Sequence, residues 1–260
     1  MHSSHRVADY DQIARTFDKR YERNPYAGVA KALREFIGSQ PGLHILEVGC
    51  GTGHWLEILQ AMGRRPVGLD YSTGMLAKAQ ERTEGAALIH GDAQHLPLPA
   101  NAFDKAFCIN ALHHFPDKPA FLAEARRILR PGGKLWSVGL DPHHGLDKWH
   151  VYDYFPESLQ IDRQRYPSAD RLRAWMIAAG FENCATQEVE HWTIRVPVRQ
   201  ALEQGRLDKA ATSQLSVLTD EEYQQGLRRI QADMARAETE GQTLFLTIDL
   251  RLYATIGSAG

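Results

Sequence analysis

The sequence predicts an α/β fold built on an open, doubly wound and mostly parallel sheet, and three observations carry that expectation. Ile45-Leu46-Glu47-Val48 is an apolar run that stops at Gly49-Cys50-Gly51-Thr52-Gly53. From His54 it gives way to an amphipathic run, Trp55, Leu56, Ile58 and Leu59, so the stretch reads as strand, glycine-rich turn and helix. Further short apolar runs lead into acidic residues, at Val67-Gly68-Leu69-Asp70 and again at Ala87-Leu88-Ile89-His90-Gly91-Asp92. Helical periodicities separate these runs, as parallel strands require of their crossover connections.

Taken in order, Met1 to His5 reads as a frayed end with solvated histidines. Tyr10, Ile13, Ala14, Phe17 and Tyr21 then recur at three- and four-residue steps, with Asp11, Arg15, Lys19 and Glu22 on the other face, which predicts a helix. A second helix, Ala30 to Ile37, ends at Gly38, and Pro41-Gly42 leads into the first strand. In the turn after that strand, Gly49 and Gly51 can take φ > 0 and present bare backbone, while the next helix aims unpaired N–H groups at the same spot. A nucleotide-like ligand is expected there. Such a turn also serves NAD and FAD enzymes. Two details argue against them: Gly49-x-Gly51-x-Gly53 is one residue short of the dinucleotide spacing, and Glu47 sets a carboxylate beside the ligand. That carboxylate would repel a pyrophosphate and hold an ammonium or sulfonium, so the ligand should be cationic.

The run Ile45-Leu46-Glu47-Val48-Gly49-Cys50-Gly51-Thr52-Gly53 resembles the first motif of class I S-adenosylmethionine (SAM) dependent methyltransferases, and most of all the small-molecule branch containing ubiquinone/menaquinone methyltransferases. The likeness covers about Ile45 to Leu140. It implies a Rossmann-like, seven-stranded sheet with an antiparallel last strand and helices on both faces, a SAM cofactor leaving as S-adenosylhomocysteine, and cofactor contacts from Glu47, Gly49, Cys50 and Gly51. Tyr10-Asp11 to Phe17-Asp18 is similar to a helix that covers the cofactor in that family, with Phe17 departing from the family tyrosine; a helix packed on the core is the other reading. Tyr10 is thus a substrate-side candidate.

After a helix ending near Gly63, Pro66 to Asp70 is the second strand. Asp70 stands where a doubly wound fold puts the carboxylate that grips ribose hydroxyls, and Tyr71 can lay its ring against adenine or simply pack. Ser72 can cap the following helix, with Met75, a further cofactor-side candidate, facing inward. Ala87 to His90 is the third strand, and Gly91-Asp92-Ala93-Gln94-His95-Leu96-Pro97 follows it. The resemblance puts Asp92 on the adenine amino group and the Ala93 N–H on a ring nitrogen; alternatively Asp92 caps a turn.

Phe103 to Asn110 is the fourth strand. Ligands bind outside the carboxyl ends of parallel strands, so Asn110 to His114 should border the transferred methyl group. His113 and His114 are the candidates for a general base, or for lining and orienting the acceptor, the role the resemblance favours. No obligatory catalytic residue stands out. A helix from Lys118 to Arg130 ends at Pro131-Gly132-Gly133 and leads to a strand, Leu135 to Leu140.

From Asp141 the chain turns histidine-rich and aromatic without clean periodicity, through His143, His144, Trp149, His150, Tyr152 and Tyr154. Residues 141–166 are expected to form one lid insertion and 197–240 a second, helical one, with residues 1–40 supplying N-terminal cap helices to a single methyltransferase domain. Asp141, His144 and Tyr152 are substrate candidates. Asp141, His143, His144 and His150 are conceivable metal ligands, but no spacing fixes them on one element, and no metal is expected. Ser168 to Gly180 is a capped helix, Phe181 to Ile194 a strand, and Thr243 to Tyr253 the last strand, which the family would insert antiparallel between the fifth and sixth.

Bulk properties bound the rest. A chain of 260 residues with 43% hydrophobic content suits one α/β domain with additions. A formal net charge of −2 without a basic run argues against nucleic acid. Three cysteines without paired spacing indicate a reducing, cytoplasmic setting, and the absence of a long apolar run indicates no membrane span. The partner is expected to be a small-molecule methyl acceptor, and the oligomeric state, monomer or homodimer, stays open. The competing functions are a non-catalytic SAM-binding scaffold and an NAD-dependent dehydrogenase.

Overall fold

A computed structural model describes residues 18–24 and 26–260, apart from the side chains of Lys19 and Arg23. It falls into two compact units: one from the described residues up to Asp141 with Pro167–Glu190 and Leu252–Gly260, the other from Pro142–Tyr166 and His191–Arg251.

The first unit begins with helices α1 (Lys19–Arg23) and α2 (Ala27–Ile37), whose Val29, Leu33 and Ile37 are buried. Strand β1 (Ile45–Val48) is buried at all four positions, as a central parallel strand covered on both faces must be. Alternation follows with α3 (His54–Ala61), β2 (Val67–Asp70), α4 (Thr73–Arg82), β3 (Ala87–His90), β4 (Phe103–Ile109), a 3₁₀ turn at Leu112–His114, α5 (Lys118–Ile128) and β5 (Leu129–Gly139). Strands β3, β2, β1, β4 and β5 lie side by side in that order, all parallel. The order reverses direction beside β1, so the carboxyl ends of β1 and β4 flank a topological switch point.

Beyond β5 runs the later half of a long antiparallel strand, numbered below as β8, with Leu135 opposite Gly257 and Val138 opposite Ala254. Helix α8 of this unit follows two helices of the other, described next, and spans Ala169–Ala178. It leads into β7 (Phe181–Pro197), which pairs β8 (Phe245–Ala259). The last strand is therefore inserted between the fifth and the next long strand, as expected. It runs to Ala259, well past Tyr253, because Ala254, Gly257 and Ala259 carry little strand signal although Ala254 and Ala259 are buried. Helix α5 stops at Ile128, two residues early, since Asn101 and Ala102 take the carbonyls of Arg127 and Ile128 and Leu129 already pairs with Phe103.

In the second unit the first expected lid insertion, residues 141–166, holds a short strand and two helices: β6 (Lys148–Trp149), α6 (His150–Tyr154) and α7 (Pro156–Arg165). Lys148 and Trp149 pair with Asp249 and Ile248, in the early half of β8. Helices α9 (Val198–Glu203), α10 (Ser213–Ser216) and α11 (Asp220–Thr239) form the helical insertion, and α11 opens on a full capping box, Thr219 with Glu222. Phe155 is fully buried and occupies the space that a side chain at Gly226 would need. Tyr152 donates to Asp162 at 2.7 Å, and Asp162 also accepts from Gln214 and pairs with Arg165. That network is why the segment shows no surface periodicity: its polar residues are buried as partners of one another.

Candidate functional site

The glycine turn is tied to the end of β2. Gly49 and Cys50 donate to the Leu69 carbonyl at 2.7 and 3.0 Å, and Gly51 donates to Asp70 Oδ2 at 2.8 Å. Asp70 Oδ1 accepts from the Ser72 N–H at 2.9 Å. A carboxylate accepts about four hydrogen bonds, so holding the turn and receiving ribose hydroxyls are compatible. Gly49 and Gly51 have φ of +75° and +53°, the region glycine enters without cost. A Cβ on Gly49 would sit 2.5 Å from the Ala111 Cβ, so the turn after β1 is packed directly against the turn after β4.

Glu47 lies in β1 with Gly68 and Phe107 beside it on the flanking strands. It is wholly buried, and neither carboxyl oxygen has a hydrogen-bond partner among the described residues. Burial, and secondarily Asp70, holds its carboxyl well above the usual carboxylate range. A buried acidic group without a donor is what a cationic ligand would satisfy, so the residues fit SAM on a feature of the structure itself.

Asn110 closes β4 with a φ of +50°, donating its N–H to Val138, and leads into the turn bearing His113 and His114. The two rings lie 3.7 Å apart, His113 buried and His114 half-buried. Tyr71 is 76% exposed, with its ring centroid 6.1 Å from that of His90. Met75 is buried, and its N–H donates to the Ser72 hydroxyl at the start of α4. Asp92 accepts the Gln94 N–H at 2.9 Å, so it does close its own turn; Ala93 next to it is buried.

Two residues of the expected N-terminal helix, Asp18 and Tyr21, also meet the glycine turn and α3. Asp18, just ahead of α1, accepts from the Thr52 hydroxyl at 2.6 Å and pairs with Arg82 at 2.8 Å, tying the N-terminal region to the glycine turn and α4. Tyr21 stacks on His54 at 3.7 Å, and burial lowers the His54 pKa to about 4. Asp18 and Tyr21 were visible as a polar-aromatic helical pattern, but their partners lie 34 and 33 residues on, beyond any local signal.

The remaining candidates have these surroundings. Tyr10 lies outside the described residues. Asp141 is buried and accepts the Ala169 N–H at the start of α8. In the second unit His144 is exposed, and the Tyr152 hydroxyl donates to Asp162. Of the conceivable metal ligands, the Asp141 carboxylate accepts from Ala169, while His143 and His150 bond the carbonyls of Tyr166 and Thr247. Among the described residues no cluster of His, Cys, Asp and Glu could hold a metal ion, and no helix is long and apolar enough to cross a membrane.

The fold is an α/β domain with a glycine turn at a switch point, and comparison with known proteins shows what it is similar to. Residues 46–137 match the family described as Methyltransferase domain. The chain is 37% identical over 137 residues to phthiotriol/phenolphthiotriol dimycocerosates methyltransferase of Mycobacterium leprae, covering 51% of this chain and 50% of that protein. It is 33% identical over 144 residues to demethylmenaquinone methyltransferase of Staphylococcus aureus, covering 49% and 60%. Among solved structures, phosphoethanolamine N-methyltransferase 2 of Haemonchus contortus, in complex with phosphomonomethylethanolamine and S-adenosylhomocysteine, superposes with a TM-score of 0.56 at 18% identity, covering 89% of this chain and 52% of that one. Residues 46–137 are thus similar to the Methyltransferase domain family, and the fold is shared with that solved structure. The chain spans about half the length of the first curated relatives it matches.

Proposed function

We propose that this protein transfers a methyl group from SAM to a small-molecule acceptor by in-line displacement. The observation that carries the proposal is the buried Glu47, without a hydrogen-bond partner among the described residues, beside a glycine turn anchored on Asp70. Asp70 receives the ribose hydroxyls, Tyr71 covers the adenine, Asp92 and Ala93 meet its edge, and Glu47 faces the cationic end of the cofactor. Gly49, Cys50 and Gly51 supply backbone against the ligand, and Asn110 sits nearest the methyl group. SAM supplies an activated methyl on a sulfonium, so the chain's own task is to hold a nucleophile in line at near-attack distance and to exclude water. His113 and His114 orient the acceptor and are the groups placed to take its proton. His144 is a further acceptor-side candidate, and one methyltransferase domain with additions remains our reading of the whole chain.

Calorimetry with SAM and NAD, followed by a screen of small-molecule acceptors with methyl-labelled SAM, tests this. SAM binding with label transfer is the expected result. SAM binding without transfer to any acceptor would leave a binding scaffold, and NAD binding in place of SAM would overturn the reading.

A further inference from the structure

Glu47 has no donor among the described residues, and the charged group among them that acts on it is the Asp70 carboxylate, from β2. The turn contributes the Cys50 thiol and β4 the Cys108 thiol; burial pushes the first well up and the second to about 12. From α1 comes the Tyr21 phenol, which burial also raises. The thiols and the phenol are thus neutral at physiological pH. An ionised Glu47 would be desolvated, unpaired and close to a second carboxylate, whereas a protonated one avoids all three costs. SAM brings an ammonium and a sulfonium to this place, and either reverses the preference.

We infer that Glu47 holds a proton in the cofactor-free protein and releases it when SAM sets a cationic group against it, so that cofactor binding exchanges a proton for a cation. The inference rests on the SAM reading above. In the step the Glu47 O–H bond breaks, the proton passes to solvent buffer, and the carboxylate charge is balanced by the incoming cation; no electrons move. SAM affinity should then rise with pH by about tenfold per unit while Glu47 is protonated in the free protein, and level off above that range. A neutral nucleoside such as adenosine can occupy the ribose and adenine positions without displacing the proton.

The test is titration calorimetry of SAM at fixed neutral pH in phosphate, Hepes and Tris, whose ionisation enthalpies differ. The heat should vary with buffer as for release of about one proton per SAM bound, and adenosine should give a buffer-independent heat. Glu47→Gln should abolish the release and weaken SAM. Should that variant fail to fold, infrared difference spectra of the wild type should lose a protonated-carboxyl band on adding SAM. SAM binding with buffer-independent heat and no band lost would overturn the inference alone. No SAM binding in any buffer would overturn the cofactor reading beneath it.

Discussion

At residue scale, Asp70 is where two demands meet on one side chain, because its carboxylate accepts the Gly51 and Ser72 amides and is the ribose acceptor we propose. Asp70→Ala should raise the SAM dissociation constant by roughly 10- to 150-fold, from about 1.5–3 kcal/mol of lost and unpaired hydrogen bonds. An unchanged SAM-induced shift in melting temperature would remove it from the site. Glu47 gives a prediction about pH. Its carboxyl titrates above its ordinary value of 4.5 in the folded protein. As pH rises past 4.5 the unfolded chain therefore ionises first, and the folded state loses stability until Glu47 itself ionises. Cofactor-free Glu47→Gln should melt higher than wild type at neutral pH, with the gap closing as pH falls toward 4. A gap independent of pH would show that Glu47 is not the titrating group. Both residues were legible in the sequence because each sits at a strand end next to a local motif; the lack of a hydrogen-bond partner for Glu47 among the described residues was not, since it depends on what β2 and β4 bring alongside.

At the scale of elements, the turn after β1 is shaped by the turn after β4. The glycine spacing announces φ > 0, but the reason for Gly49 in particular is Ala111, 62 residues later in the chain. Gly49→Ala would cost about 1–2 kcal/mol for the left-handed backbone and would also push a methyl group into Ala111, displacing the turn that bears His113 and His114. The expected outcome is a folded protein by circular dichroism with SAM binding lost or reduced more than 10-fold, on the order of 1.4 kcal/mol or more. Binding at wild-type strength would mean that the two turns can part without consequence for the cofactor. Strand ends and helix lengths went astray in the sequence for a related reason. Helix α5 gives up Leu129 and Arg130 to strand pairing with β4, and β8 extends through small residues that only the neighbouring strand holds in line.

For the whole molecule, the sequence separated a motif-rich half from a stretch of histidines and aromatics, and the structure resolves these into two units, each with buried groups of its own. The cofactor candidates Glu47, Gly49, Cys50, Gly51, Asp70, Tyr71, Met75, Asp92, Ala93 and Asn110 all belong to the first unit. The second unit is organised around Asp162, which is fully buried, paired with Arg165 and bonded to Tyr152 and Gln214. Burial raises the Asp162 pKa, and Arg165 and the hydrogen bonds pull it back. Replacing Asp162 by Ala takes the carboxylate from a buried guanidinium and from two buried donors, a loss of roughly 3–5 kcal/mol where a buried pair is broken from one side. Hydrogen exchange should therefore quicken in α7 and α10 while the amides of β1 and β4 keep their protection. SAM affinity should stay within a few-fold of wild type, because none of the residues holding the cofactor in our reading has been touched. If Asp162→Ala instead lost SAM as severely as Asp70→Ala, the second unit would be part of the cofactor grip, and assigning cofactor recognition to the first unit alone would be wrong.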